Sequence, residues 1–309
     1  MTNALKLGHF MKRAMMSEVS VAEYWDKFVG THLNSPDHWE ANQVVQQAQW
    51  KLCTGDAFIN PVDWFIERFG PFEKMASICS GSGILEQHIA LNYLQGGTGQ
   101  IDGYDVSPGS LKVARERTAG LRGIHFHVAD ANTHEWEESY LDAVFAHGAL
   151  HHIASLDHCL GQIRKALKPS GYLYVNDYVG PRRFQWTDVQ FRLAQQLLEQ
   201  LPVKFQRNNV VSRCDPISLK ALDPSEAVRS DHIIDHINAH FEIKIRIERG
   251  GTLLAPIFGS GCISPTVFDS EEGMRAIENL CLREKELIDV GIIPSNHTLI
   301  VAAPRSVSE

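Results

Sequence analysis

Beyond Phe72 the chain alternates short apolar runs with helix-like segments, and this alternation limits the fold more than any other feature. Runs at Met75 to Ser80, Gln100 to Asp105, Ile124 to Asp130, Leu141 to His147 and Tyr172 to Asp177 read as strands. Helical patterns fill the intervals at about Leu85 to Leu94, Ser110 to Ala119 and Leu156 to Leu167. The rhythm resumes with a helix at Ser225 to His240, a strand at Glu242 to Glu248, a helix at Ser270 to Val290 and a last strand at Thr298 to Ala302. Strands that alternate with helices give an α/β fold whose parallel neighbours are joined by right-handed crossovers. The count is seven strands, with no internal repeat and no low-complexity tract.

Two stretches stand outside this rhythm. Residues 1–72 are mostly helical in pattern, with Val21, Tyr24, Trp25 and Phe28 at spacings of three and four. Within them Asn60-Pro61 opens a short helix carrying Trp64, Phe65 and Phe69, and Gly70-Pro71 ends it. This segment is expected to be an N-terminal helical cap on a core domain of residues 73–309. Residues 180–224 carry a helix near Asp188 to Leu201 and several aromatic residues. An insertion of that length in an α/β domain is expected to act as a lid or substrate element.

Composition narrows the partners. Lys and Arg number 29 against 37 Asp and Glu, a formal charge of −8 without long single-sign blocks, which disfavours a phosphate-neutralising surface. Nucleic acid is therefore not expected as a partner. No run approaches the roughly 20 apolar residues of a membrane helix, and the first 30 residues lack the apolar core of a secretory signal. A cytoplasmic, membrane-free monomer or homodimer is the expectation. The six cysteines (53, 79, 159, 214, 262, 281) show no CxxC and read as free thiols. Fifteen histidines are the one oddity, and His is the side chain that exchanges a proton near neutral pH.

The first strand runs through Ser77-Ile78-Cys79-Ser80 into Gly81-Ser82-Gly83 and then a helix, the context that gives a glycine turn meaning. Asp105 follows 22 residues after Gly83 at the end of the second strand, where a carboxylate can accept both hydroxyls of a ribose. A dinucleotide fingerprint would place its third glycine at position 86, which is Glu86 here. An acid in the first helical turn repels phosphate, so the turn points to a nucleoside-like ligand without a pyrophosphate. The third strand ends in Asp130 and Ala131, and the fourth runs from His147-Gly148 into Ala149-Leu150-His151-His152. Each signal alone is weak, but four in order along the carboxyl edge of an open α/β sheet, where ligands bind, are strong.

Over residues 74 to 180 in motif, and to the C-terminus in element order, the chain resembles the class I S-adenosylmethionine-dependent methyltransferases. The resemblance implies a seven-stranded, mostly parallel, doubly wound sheet whose antiparallel last strand lies next to the sixth. It also implies that the turn residues Ser80, Gly81, Ser82 and Gly83 cradle the methionine part of S-adenosyl-L-methionine. Asp105 would bind the ribose, Val106 would pack on adenine, and Asp130 with Ala131 would meet the adenine ring. His147 and Gly148 would line the methionine side by their backbone. The usual acidic residue of the first motif is Ser77 here and a usual glycine is Cys79. The stretches around Ala149 to Ile153 and Asn176 to Pro181 resemble the small-molecule members.

His151 and His152 follow the fourth strand, and Asp177 and Tyr178 end the fifth beside them. Methyl transfer needs alignment and the removal of one proton, a task for a His oriented by Asp177. The bland reading has one His packed on the sheet edge and the other capping a helix. A metal shared by His147, His151 and His152 is not expected, since no acidic or thiol pattern accompanies them. His232, His236 and His240 recur every four residues beside an apolar stripe, and the outer pair is roughly 12 Å apart on a helix, so they read as a solvent edge. Phe184, Trp186, Phe191, Leu197, Leu198 and Phe205 either seal the insertion or line an apolar acceptor pocket. Arg182, Arg183, Arg207, Arg213 and Arg229 leave room for an anionic acceptor, although surface solvation is the commoner reason for such residues.

The expected function is transfer of a methyl group from S-adenosyl-L-methionine, leaving S-adenosyl-L-homocysteine, to an oxygen or nitrogen of a small molecule. Alternatives are a carbon methyltransferase on a quinone-like or polyketide acceptor, a sugar methyltransferase, or a non-catalytic regulatory protein that binds the cofactor. Fold alone does not separate these.

Overall fold

A computed structural model describes residues 20–28 and 38–305. The helical patterns expected within residues 1–19 and 29–37 lie outside the described residues. Seven strands form one sheet in the order β3-β2-β1-β4-β5-β7-β6. They are β1 (Lys74–Ile78), β2 (Gln100–Asp105), β3 (Ile124–Val128), β4 (Leu141–His147), β5 (Leu167–Tyr178), β6 (Phe241–Gly250) and β7 (His297–Pro304). Neighbours from β3 to β5 are parallel, and β7 runs antiparallel to both β5 and β6. The seven strands and the antiparallel last one match the expectation.

Alternate residues of the central strands feed opposite cores, as a period of two requires. On one face Val144, Ala146, Leu173 and Val175 pack with Leu156, Leu160 and Ile163 of α6 (Leu156–Ala166) and Ile233 and Ile237 of α9 (Ile233–His240). On the other, Ala143, Phe145 and Tyr174 pack with Val62, Phe65 and Ile66 of α3 (Pro61–Phe69) and Ile89 of α4 (Ile84–Ile89). Both faces are covered, which is why these strands are continuously apolar. α3 begins as its sequence says: the Asn60 side chain accepts from the Val62 N–H, and Pro61 fills the first turn. α3 therefore belongs to the sheet's own core.

A second core is assembled from three distant stretches. Trp39 and Val45 of the N-terminal region, the latter in α2 (Gln43–Thr54), meet Leu197 and Leu198 of α7 (Asp188–Glu199). Ile257 and Phe258 of α10 (Leu254–Gly259) and Ile277 and Leu280 of α11 (Glu271–Asp289) complete it. The insertion is thus one part of a composite cover that also includes the chain after β6. α10 and α8 (Pro216–Leu222) were not expected; each is under two turns and has no long periodic pattern to read. The helix expected from Ser225 begins in its α-helical form only at Ile233.

Candidate active site

The carboxyl ends of β1, β2 and β4 open on one edge. β1 stops at Ile78 because Cys79 adopts φ 53, a left-handed conformation that ends extended pairing and strains a residue with a Cβ. Gly81 follows at φ 53, and a Cβ there or at Gly148 would meet no atom within 4 Å. The turn after β1 and the turn after β4 therefore border open space. Gly83 differs: a Cβ would lie 2.8 Å from that of Ala114 in α5 (Pro108–Arg117) and 3.0 Å from Phe126 of β3, so its bare backbone serves packing.

Asp105 is the electrostatic anchor of this edge. Its Oδ2 accepts the Gly81 N–H and its Oδ1 the Ser107 N–H, both at 2.8 Å, and each oxygen keeps a lone pair to spare. Burial pushes its carboxyl pKa up, against the pull of those N–H groups. The Ser80 hydroxyl, in the same turn as Gly81, is buried with no partner among the described residues. An acidic acceptor pair, an orphan hydroxyl and open glycine turns fit a nucleoside carrying a short polar tail, as S-adenosylmethionine does. Val106 and Ala131 are half-buried nearby, and Asp130 is exposed with one oxygen accepting from Asn132. Asn132 in turn accepts the N–H groups of Ala154 and Ser155, tying the end of β3 to the loop after β4.

Glu86 corrects the phosphate argument. It is fully buried rather than presented to a ligand, and Ser77 of β1 donates its hydroxyl to it. Burial raises its carboxyl to about 7. The one acid in the first turn of α4 is therefore not a free carboxylate that would repel an anion.

α1 (Val21–Phe28) straps across the edge. Asp26 accepts from the Ser107 hydroxyl at 2.6 Å and the Gly109 N–H at 2.7 Å, on the β2 side. On the β4 side Trp25 stands edge-on to His152, ring centres 5.3 Å apart.

Asp177 and His151 come together as the sequence suggested. Asp177 Oδ1 meets His151 Nδ1 at 2.5 Å, while its Oδ2 accepts the Ala149 and Leu150 N–H groups. Burial would lower the His151 pKa, but Asp177, Glu226 and Asp223 outweigh it and lift it to about 9. His152 goes the other way: burial and the neighbouring His151 hold it well below the usual imidazole range. Its Nδ1 is 3.1 Å from the Ser225 hydroxyl, which donates to Asp223. Tyr178 is buried with its hydroxyl donating to the Pro181 carbonyl and accepting from Trp186, so it props the loop after β5.

Some residues of the site escaped the sequence. Glu226 Oε1 lies 3.5 Å from His151 Nε2. Beyond His147, whose Nε2 pairs with the Asn176 amide at 3.4 Å, the buried Arg249 bonds to Asn176 and Gln49 and pairs with Glu40 at 3.1 Å. Burial would raise Glu40, yet Arg249, His297, His38 and His147 hold it at about 2. No spacing announces such groups, because partners such as Gln49 and Arg249 lie 200 residues apart in the chain.

The remaining candidates sort by contact. Phe184, Trp186 and Phe191 form a half-buried row leading from Tyr178, whereas Leu197, Leu198 and Phe205 seal the second core. The five arginines are engaged by the protein itself: Arg182 by Asp231, Arg213 by Asp188, and Arg183, Arg207 and Arg229 by carbonyls. His232 lies against Arg182 and His236 against Arg229, while His240 reaches Asp157 of α6. No helix among the described residues is long and apolar enough to cross a membrane.

Known proteins resemble the chain in part of its sequence and in its fold. A demethylmenaquinone methyltransferase of Staphylococcus aureus is 30% identical over 98 residues, 32% of this chain and 40% of that protein. A phosphoethanolamine N-methyltransferase of Caenorhabditis elegans is 27% identical over 147 residues, 44% of this chain and 32% of that protein. The chain thus spans less than half the length of these relatives. A geranyl diphosphate C-methyltransferase of Streptomyces coelicolor shares the fold with a TM-score of 0.51 at 11% identity, covering 92% of this chain and 96% of that one. A family model described as a methyltransferase domain matches residues 75–237, more than half of the sequence. The chain belongs to this methyltransferase family, within the class I S-adenosylmethionine-dependent superfamily.

Proposed function

We propose that this chain transfers the methyl group of S-adenosylmethionine to an oxygen or nitrogen of a small molecule held against His151, His152 and Glu226. The observation that carries this is the Asp177-held His151, with Glu226 3.5 Å away, on the same sheet edge as the open glycine turns and Asp105. When bound, S-adenosylmethionine supplies a methyl group activated by its sulfonium. Asp105, Ser80 and the turn hold the nucleoside, with Val106, Asp130 and Ala131 around the base and His147 and Gly148 along the tail. α1 and the composite cover exclude water. The imidazole and carboxylate group orients the acceptor and draws off its proton, and Phe184, Trp186 and Phe191 wall an apolar body.

Magnitudes rank these roles. Alignment supplies about 7–11 kcal/mol of a barrier, whereas proton removal gives about 10²–10⁴-fold, or roughly 3–5 kcal/mol. Losing one imidazole should therefore lower turnover without abolishing it. Oxygen or nitrogen is preferred to carbon because two imidazoles and a carboxylate converge where an O–H or N–H proton must leave. That the five arginines are already engaged favours an acceptor without a phosphate, unlike the acceptor named for the nematode relative.

The test is transfer of a labelled methyl group to a metabolite extract, with the product identified by mass. Label on oxygen or nitrogen, reduced about 100-fold in His151→Ala, supports the reading. Label on carbon supports the quinone-like alternative, consistent with the name of the staphylococcal relative. Cofactor binding without transfer supports the regulatory alternative.

A further inference from the structure

His151, His152 and Glu226 each offer a ligand atom, and the three atoms lie within 4.8 Å of one another. The 3.5 Å between His151 Nε2 and Glu226 Oε1 is close to the edge of a tetrahedron around an ion bound at about 2.0–2.2 Å by nitrogen and oxygen. A hydrogen bond would be shorter.

Both imidazoles are already turned for ligation. Asp177 accepts N–H groups from Ala149, Leu150 and Tyr178, so it also accepts from His151 Nδ1. The Ser225 hydroxyl spends its hydrogen on Asp223 at 2.6 Å, so it accepts from His152 Nδ1. An ion that displaces the His151 proton then meets a lone pair on Nε2. An imidazole whose second nitrogen donates to an outer partner is the usual state of a metal-bound His.

Glu226 is delivered by a rigid turn. The Arg183 guanidinium donates to the carbonyls of Asp223, Pro224 and Glu226, and the Arg183 N–H to that of Ala227. The Val228 N–H bonds to the His151 carbonyl, and Ala227 is held at φ 46, a strained position. The carboxylates of Asp177, Asp223 and Glu226 stand around the two imidazoles, and the buried Asp223 Oδ2, 3.9 Å from His152, has no hydrogen-bond partner among the described residues.

We propose that His151, His152 and Glu226 bind a divalent transition-metal ion of the zinc type, with a position left open for the oxygen of a hydroxyl-bearing acceptor. Two His and one carboxylate with an open position suit catalytic zinc, which lowers the pKa of an oxygen bound to it. With the ion bound, the imidazoles and Glu226 act on the acceptor through it instead of taking the proton themselves, and the hydroxyl proton leaves to water. The oxygen forms its bond to the methyl carbon as the carbon–sulfur bond breaks, its electron pair passing to sulfur. The acceptor half of this proposal rests on the methyl-transfer reading; the metal half does not.

The experiment titrates Co²⁺ into the EDTA-treated full chain, following visible absorption and calorimetry, with Zn²⁺ as competitor. One Co²⁺ per chain is expected, displaced by Zn²⁺ and weakened about 100-fold in His151→Gln and in Glu226→Gln, at least the loss known for outer-shell changes. His236→Gln with His240→Gln should leave the affinity unchanged. Zn²⁺ should raise the Tm of the unaltered chain, a readout that holds even where a variant folds poorly. Absence of Co²⁺ and Zn²⁺ binding at micromolar concentrations, or equal binding in the double variant His151→Gln/Glu226→Gln, overturns the metal site. S-adenosylhomocysteine binding and methyl transfer are measured on the same metal-free protein. Undiminished transfer there overturns the acceptor half alone, whereas absent cofactor binding overturns the methyl-transfer reading and the acceptor half with it and leaves the metal site to the Co²⁺ titration.

Discussion

Asp177 grips His151 from the end of the neighbouring strand: one oxygen meets Nδ1 at 2.5 Å and the other accepts the N–H groups of Ala149 and Leu150. The carboxylate thus fixes the imidazole and the backbone that carries it. Asp177→Ala strands three buried backbone N–H groups, those of Ala149, Leu150 and Tyr178, at about 1–3 kcal/mol each before relaxation. A loss of at least about 3 kcal/mol in urea unfolding is expected. Asp177→Asn should lose less stability yet still lower turnover; equal stability for Asp177→Ala and the unaltered chain would contradict the clamp.

The two turn glycines should fail differently. Gly83→Ala forces a Cβ to 2.8 Å from Ala114, and overpacking plus a left-handed φ costs roughly 2–4 kcal/mol, seen as a lower Tm. Gly81→Ala meets open space and costs only about 1–2 kcal/mol of backbone strain. Its methyl enters the ligand's space instead, so calorimetry should show cofactor affinity falling more than stability does.

Glu86 makes stability depend on pH. Its folded pKa of about 7 lies above the ordinary 4.5, so the folded state holds this proton more tightly. Its contribution is full below pH 4.5 and is lost as pH rises through about 7, by roughly 3 kcal/mol. Glu86→Gln should remove that part of the slope between pH 5 and 8 in denaturant titrations. An unchanged slope would mean that Glu86 is not the buried proton carrier.

Asp26 tests the strap. α1 has 8 residues, too few to persist alone, and Asp26 pins it to Ser107 and Gly109. Asp26→Ala should release S-adenosylhomocysteine about 10-fold faster, one charged hydrogen bond being worth about 1.5–3 kcal/mol, with little change in Tm. Stopped-flow release rates decide it.

The sheet was legible because buried parallel strands are apolar runs with helices between them, and the meeting of Gly81 with Asp105 because they follow two successive, paired strands. Strand ends were less so: β1 ends two residues before Ser80 because Cys79 turns left-handed, and β5 starts at Leu167 rather than Tyr172. Glu86 was misread because spacing places a residue on a helix without giving the rotation of that helix against the sheet. Glu226 and Ser225 were invisible beside His151 and His152, since over 70 residues separate them and only the folded loop joins them. Glu40 and Arg249 meet across an even longer interval, and neither lies in a recognisable pattern.

The most direct measurement is calorimetric titration of S-adenosylhomocysteine into the full chain and its Asp105→Ala variant. One site per chain, weakened about 100-fold in the variant by loss of charged hydrogen bonds to the ribose, is the expected result. No binding to the unaltered chain, or the same affinity in both proteins, would contradict the account.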